Sequence, residues 1–137
     1  MVTNEECIVF LLAKAYQLAH SNMKRHLSPY GLTPVQTLVL EAIRREEGSS
    51  ATDIGKKLSL DSATLSGVLD RMAERDWVIK EVDKEDKRSL RLYLGEKARI
   101  HEDELILARE RSNEEILNGF SIEERVLLKR LLKDMNR

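Results

Sequence analysis

Three basic side chains, Lys84, Lys87 and Arg88, crowd into the run Asp83-Lys84-Glu85-Asp86-Lys87-Arg88. Clustered ammonium and guanidinium groups can engage the phosphates of a polyanion. Asp83 and Asp86, between them, can hold those cations in position by pairing. The run also reads as a solvated turn, since its three acids balance its three bases. Its neighbours must decide between the two. Catalysis finds little here: a covalent mechanism needs a nucleophile, a base and an orienting group. Cys7 is tied by no spacing to His20, His26 or His101, and no serine elbow or glycine-rich phosphate loop occurs. The histidines lack the spacing of a metal site and read as surface or dimer-interface residues. No enzymatic activity, catalytic residue, cofactor or metal is therefore expected.

Composition sets wide bounds. A chain of 137 residues that is 42% apolar suits one ordinary domain with a core, and the formal charge of −1 does not announce a polyanion partner. Even the central stretch from 51 to 100 is nearly neutral, with 11 Lys and Arg against 10 Asp and Glu. Any claim on nucleic acid must come from local arrangement. The opening MVTNEEC is acidic where a secretory signal is basic, and no apolar run approaches the roughly 18 residues of a membrane span. A cytoplasmic protein without membrane contact is expected. A single cysteine excludes an internal disulfide and a Cys-rich zinc module.

The elements that must position the charged run are mostly helical. From Asn4 to about His26 the residues Ile8, Leu11, Leu12, Ala15, Tyr16, Ala19 and Met23 recur every three or four positions and mark one long amphipathic helix. Pro29 and Gly31 interrupt it. Thr33-Pro34-Val35-Gln36 is a capping box with proline at the first helical position, starting a helix to about Arg45. Ser50 to Asp53 repeats the capping pattern for a short helix ending near Leu58, and Ser59-Leu60-Asp61 is a turn.

Asp61 then caps a helix with a narrow apolar face of Leu65, Val68, Leu69 and Met72, leaving Ser62, Ala63, Thr64, Ser66, Gly67, Asp70 and Arg71 outward. Two short helices joined by a tight turn, the second presenting slim polar side chains, suit a helix-turn-helix whose second helix enters the major groove. Gly55 in the first helix implies a close approach between the two. Trp77 to Val82 reads as a strand, the charged run as its turn, and Ser89 to Leu94 as the return strand, with Leu90, Leu92 and Leu94 on one face. A hairpin directly after such a helix makes a winged helix-turn-helix. Its tip then lies where Lys84, Lys87 and Arg88 reach phosphates or a narrow minor groove. Beyond it, Lys97 to Asn118 is expected as a charged helix, and Ser121 to Glu124 is a capping box before Leu127, Leu128, Leu131, Leu132 and Met135. The last helix is too apolar to stand alone, and its face is covered either by a partner chain or within the same chain.

Leu60-Asp61-Ser62-Ala63-Thr64-Leu65, Asp70-Arg71-Met72, and Asp83 to Arg88 followed by Leu90, Leu92, Leu94 and Gly95 resemble the MarR family of bacterial transcriptional regulators over about residues 32 to 99. The resemblance implies a mainly α fold with a small β-hairpin wing and a homodimer whose terminal helices intertwine. The chain would divide into an N-terminal dimerisation helix and loop (1–32), a DNA-binding lobe (33–95) and C-terminal dimerisation helices (96–137). The implied function is a sequence-specific regulator, a repressor on a pseudo-palindromic double-stranded operator, released by a small molecule or by oxidation. By resemblance, Ser62, Ala63, Thr64, Ser66 and Gly67 face the bases, Arg71 a phosphate, and Arg88 belongs to the wing. Gly67 stands where a long basic side chain is common in the family, and Glu85 is acidic where the wing is often basic.

The resemblance also implies an effector pocket between the long helices and the lobe, with Tyr16, His20, Met23 and Tyr30 as its candidates and phenolic or aromatic compounds as its ligands. LDSATLS and EDKRSL are similar to the organic-peroxide-sensing, OhrR-like branch, in which a reactive cysteine opens the first helix. Cys7 is the corresponding redox candidate. Glu5 and Glu6 before it oppose a thiolate, and a lone helix cysteine also serves as a small packing residue. The alternative to the whole reading is a winged-helix protein-interaction module that does not bind DNA.

Overall fold

Capping chemistry sets most of the helix starts. In the computed structural model, which describes residues 1–136, the Thr33 hydroxyl accepts the Gln36 N–H at 3.2 Å, and the Gln36 side chain accepts the Thr33 N–H at 3.0 Å. This box opens α2 (Pro34–Arg45). Ser50 caps α3 (Ala51–Leu58), Asp61 caps α4 (Ser62–Glu74), and the box of Ser121 with Glu124 opens α7 (Ile122–Met135). The first helix, α1 (Ile8–Leu27), starts later than Asn4, because residues 4–6 form a turn.

The charged stretch expected as one helix from Lys97 divides into α5 (Glu96–Ile100) and α6 (Glu102–Ile116). The backbone leaves helical geometry at His101, whose ring lies 5.7 Å from Tyr30 and 6.1 Å from Trp77 between centroids. Sparse apolar positions there left no periodicity to mark the break.

The strands β1 (Val78–Val82) and β2 (Leu90–Leu94) pair antiparallel in the register Val78 to Leu94, Lys80 to Leu92 and Val82 to Leu90. A third stretch of backbone joins them. Gly48 donates to the Leu92 carbonyl at 2.8 Å, Leu92 donates back to Ser49 at 3.0 Å, and Ser50 bridges Arg91. The pleat turns Leu92 and Leu94 into the core as the alternation implies.

The chain forms two compact units. Unit 2, Leu27–Leu107, holds α2 to α5 and the hairpin. Its core gathers Val39, Ile43, Ile54, Leu65, Leu69, Met72, Trp77 and Leu92, all nearly or fully buried. Each such aliphatic side chain contributes about 1.5–3 kcal/mol by leaving water. Unit 1 holds residues 1–26 and those from Ala108 onward. There the buried Ser112 donates to the Asn22 side chain at 2.8 Å, and Glu115 accepts from Asn22 and Arg25 and pairs with His26. The helix α7 buries no residue within the chain. The fold is thus mainly helical with a two-stranded antiparallel hairpin, the winged-helix arrangement the sequence implied. Among the described residues no helix is long and apolar enough to cross a membrane.

Candidate nucleic-acid interface

Asp61 builds the entrance of α4. Its carboxylate accepts the Thr64 N–H at 2.7 Å and the Thr64 hydroxyl at 2.9 Å. Those two bonds, the backbone one first, hold the Asp61 carboxyl below the usual aspartate range. With its proton directed to Asp61, the Thr64 hydroxyl offers outward only lone pairs and a methyl group.

Burial of Leu65, Val68, Leu69 and Met72 fixes the rotation of α4, so Ser62, Ala63, Thr64 and Ser66 are exposed together and Gly67 is half-buried beside them. Close packing of α3 keeps this face in place. A Cβ at Gly55 would stand 3.2 Å from the Leu60 carbonyl and 3.4 Å from Leu65, so the approach inferred from that glycine is real. On the other flank Asp70 pairs with Lys80 and ties α4 to β1.

At the hairpin tip Lys84, Lys87 and Arg88 are all exposed, with Arg88 95% exposed by its side chain. The acids are used differently from the expectation that both hold these cations. Asp86 accepts the Arg88 N–H at 3.1 Å and stands 3.5 Å from its Nε. Asp83 instead accepts the Glu85 N–H and the Arg91 Nε–H, both at 2.9 Å, and Arg91 donates on to the Gly48 carbonyl at 3.2 Å. The reason is strand geometry: Arg91 on β2 projects back towards Asp83, while the tip lysines point away into solvent. Asp83 is held below the usual aspartate range by the Glu85 N–H first and Arg91 second. Arg91 escaped the sequence reading because it sits among leucines in an alternating strand, and only its opposition to Asp83 across the turn would have marked it.

The other candidates are distributed over both units. Tyr16 and His20 face each other on α1, ring centroids 5.5 Å apart, with Met23 farther along that helix, whereas Tyr30 belongs to unit 2 and lies against His101. Cys7 is half-exposed immediately before α1, and its carbonyl accepts the Leu11 N–H at 3.0 Å. Among the described residues no group of three or more His, Cys, Asp or Glu is arranged around a metal position.

Comparison with known proteins adds to this geometry. Residues 30–89 match the MarR family. TtmR of Methylorubrum extorquens, an HTH-type transcriptional regulator, is 35% identical over 91 residues, which cover 66% of this chain and 45% of TtmR. The chain spans about half the length of the curated relatives it matches. Among solved structures, Bordetella bronchiseptica BpsR, whose DNA binding is regulated by 6-hydroxynicotinic acid, superposes with a TM-score of 0.87 at 28% identity, covering 95% of this chain and 98% of BpsR. A mutant MarR from E. coli complexed with operator DNA gives a TM-score of 0.83 at 28% identity, over 91% of this chain and 90% of that one. Residues 30–89 are thus similar to the MarR family, the fold is shared with the DNA-complexed MarR structure, and the curated relatives are HTH-type transcriptional regulators.

Proposed function

We propose that this chain is a homodimeric, cytoplasmic transcriptional repressor that binds double-stranded operator DNA and leaves it when a small aromatic ligand binds. One observation carries the reading: the slim exposed residues Ser62, Ala63, Thr64 and Ser66 of α4 share a lobe with a hairpin tip on which Lys84 and Lys87 have no ion pair among the described residues. Such a helix face fits the major groove, and such a tip reaches phosphates or the adjacent minor groove. Arg88 is the tip residue proposed for that groove, which favours A·T-rich flanks where it narrows. The uncovered apolar surface of α1 and α7 supports the dimer, and a two-fold dimer calls for a pseudo-palindromic site.

Two aromatic surfaces are candidates for the ligand: Tyr16 with His20 and Met23 on α1, and Tyr30 with His101 in the other unit. BpsR supports an aromatic acid as its class. A ligand acts only through different affinities for the DNA-competent and incompetent states, typically about 1–3 kcal/mol. The oxidative signal of the OhrR-like branch takes second place, because a lone cysteine beside a helix start serves more often as a small packing residue.

The test is footprinting on a duplex selected from a random library, repeated with phenolic and aromatic acids and with an organic hydroperoxide. The expected outcome is protection of two inverted half-sites roughly one helical turn apart. An aromatic acid should release the DNA, while hydroperoxide leaves wild type and Cys7→Ser equally bound. Absence of any sequence preference would favour the protein-interaction module, and release of wild type alone by hydroperoxide would restore the redox reading.

A further inference from the structure

Along α4, Ala63, Gly67 and Arg71 follow one another at four-residue spacing and so form one row on its surface. Helical side chains lean towards the N-terminus, which brings the end of residue 71 over residue 67. The structure shows the consequence. A Cβ built on Gly67 would lie 3.5 and 3.9 Å from the two terminal nitrogens of Arg71, so the guanidinium rests over the bare backbone of Gly67, where another residue's side chain would stand. Its neighbour Asp70 is engaged by Lys80 and does not neutralise it. Arg71 is exposed and makes no hydrogen bond or ion pair among the described residues, so its donors are all unused.

We infer that Arg71 is a base-reading residue, which lies back across Gly67 and donates two hydrogen bonds to a guanine in the major groove. This rests on the DNA-binding reading above and deepens it. A phosphate contact needs a cation projecting sideways from the helix towards the groove wall. Here the fork lies along the same outward face as Ala63, on the surface that carries Ser62 and Ser66, and that surface meets base edges rather than groove walls. The small row at 63 and 67 leaves room for the guanidinium between helix and base. The planar fork matches the O6 and N7 acceptors of guanine, a match that an ammonium lacks.

The test uses the full chain as wild type, Arg71→Ala, Arg71→Lys and Gly67→Leu, each checked for unchanged folding by thermal melting. The leucine fills the place of the guanidinium and displaces it while retaining its charge. Wild type selects a motif from a random duplex library and is then titrated on that duplex, on single base-pair variants and on an unrelated duplex, over a salt series. One G·C pair per half-site should be preferred over A·T by about 5- to 150-fold, the equivalent of about 1–3 kcal/mol. That preference should collapse to within about twofold in Arg71→Ala and Gly67→Leu and fall sharply in Arg71→Lys, with the salt slope of Gly67→Leu equal to wild type. The inference is overturned if Arg71→Ala weakens every duplex alike, lowers the salt slope by about one unit and keeps the base preference, which is the signature of a phosphate contact. If wild type selects no motif, the DNA-binding reading itself falls and this assignment with it.

Discussion

At the scale of single residues, two glycines in the same lobe carry opposite consequences. An added Cβ at Gly95 would stand 2.2 Å from the Asp76 carbonyl oxygen and under 3 Å from two backbone carbons, because the Gly95 N–H bonds the Trp77 carbonyl where the hairpin closes. Backbone cannot step aside as a side chain can. Gly95→Ala should therefore cost about 1–3 kcal/mol, as overpacking does, and lower the melting temperature visibly. At Gly67 the Cβ meets only the flexible end of Arg71 at ordinary contact distance. Gly67→Ala should then stabilise the fold by up to about 1 kcal/mol, the difference in helix propensity. A paired thermal melt decides the matter: equal destabilisation by both would mean that neither the close approach at Gly95 nor the open space at Gly67 is as described.

At the scale of elements, the hairpin shows what a sequence discloses and what it withholds. The caps at Thr33, Ser50, Asp61 and Ser121 were legible because capping joins residues three apart, and Leu90, Leu92 and Leu94 were legible because a strand alternates. The bridge of Ser50 to Arg91 was not, since it joins segments far apart in the chain and is too short to leave a period. Nor was the role of Asp83, whose partner Arg91 lies across the turn among the leucines of the return strand. That pair fixes the wing to the 48–50 segment and so makes its order depend on pH. Because the folded state depresses the Asp83 pKa, the unfolded chain binds more protons in the interval between the two values. The stabilisation is complete above the ordinary aspartate range and is lost as pH falls through the lower folded-state value. In an NMR titration the Arg91 Nε–H should shift with a midpoint below that of an ordinary aspartate, and the shift should vanish in Asp83→Asn. A midpoint at or above the ordinary value would remove Asp83 as the wing's tether.

For the whole molecule, the decisive feature is apolar surface that the single chain leaves in water. On α7, Ile122, Val126 and Met135 are 76%, 64% and 58% exposed, and on α1, Ile8 and Val9 are 57% and 71% exposed. Ile8 and Leu12 also line, with Leu128, Leu131, Leu132 and Met135, an apolar groove of about 470 Å³. Apolar patches beyond a few hundred Å² are uncommon on monomers, whereas stable partners bury about 1,200–2,000 Å² in total. A second copy of the chain is the occupant that the proposed function requires, and the face of α7 is where to break it. Leu127 and Leu131, one turn apart on α7 and about half exposed, are placed to bury against a partner. Charging both, as Leu127→Glu with Leu131→Glu, should shift the protein from dimer to monomer in sedimentation at micromolar concentration, while Lys129→Glu on the same helix should leave the dimer intact. Two half-sites held by one dimer bind with an effective concentration that separate lobes lack, so operator affinity should fall by about 10²–10⁴-fold in the double variant. Binding to an isolated half-site should change little, since α4 and the wing fold within the other unit. A wild-type monomer, or a double variant that stays dimeric and keeps its operator affinity, would show that these faces are covered in some other way and that the two-fold reading of the operator is wrong.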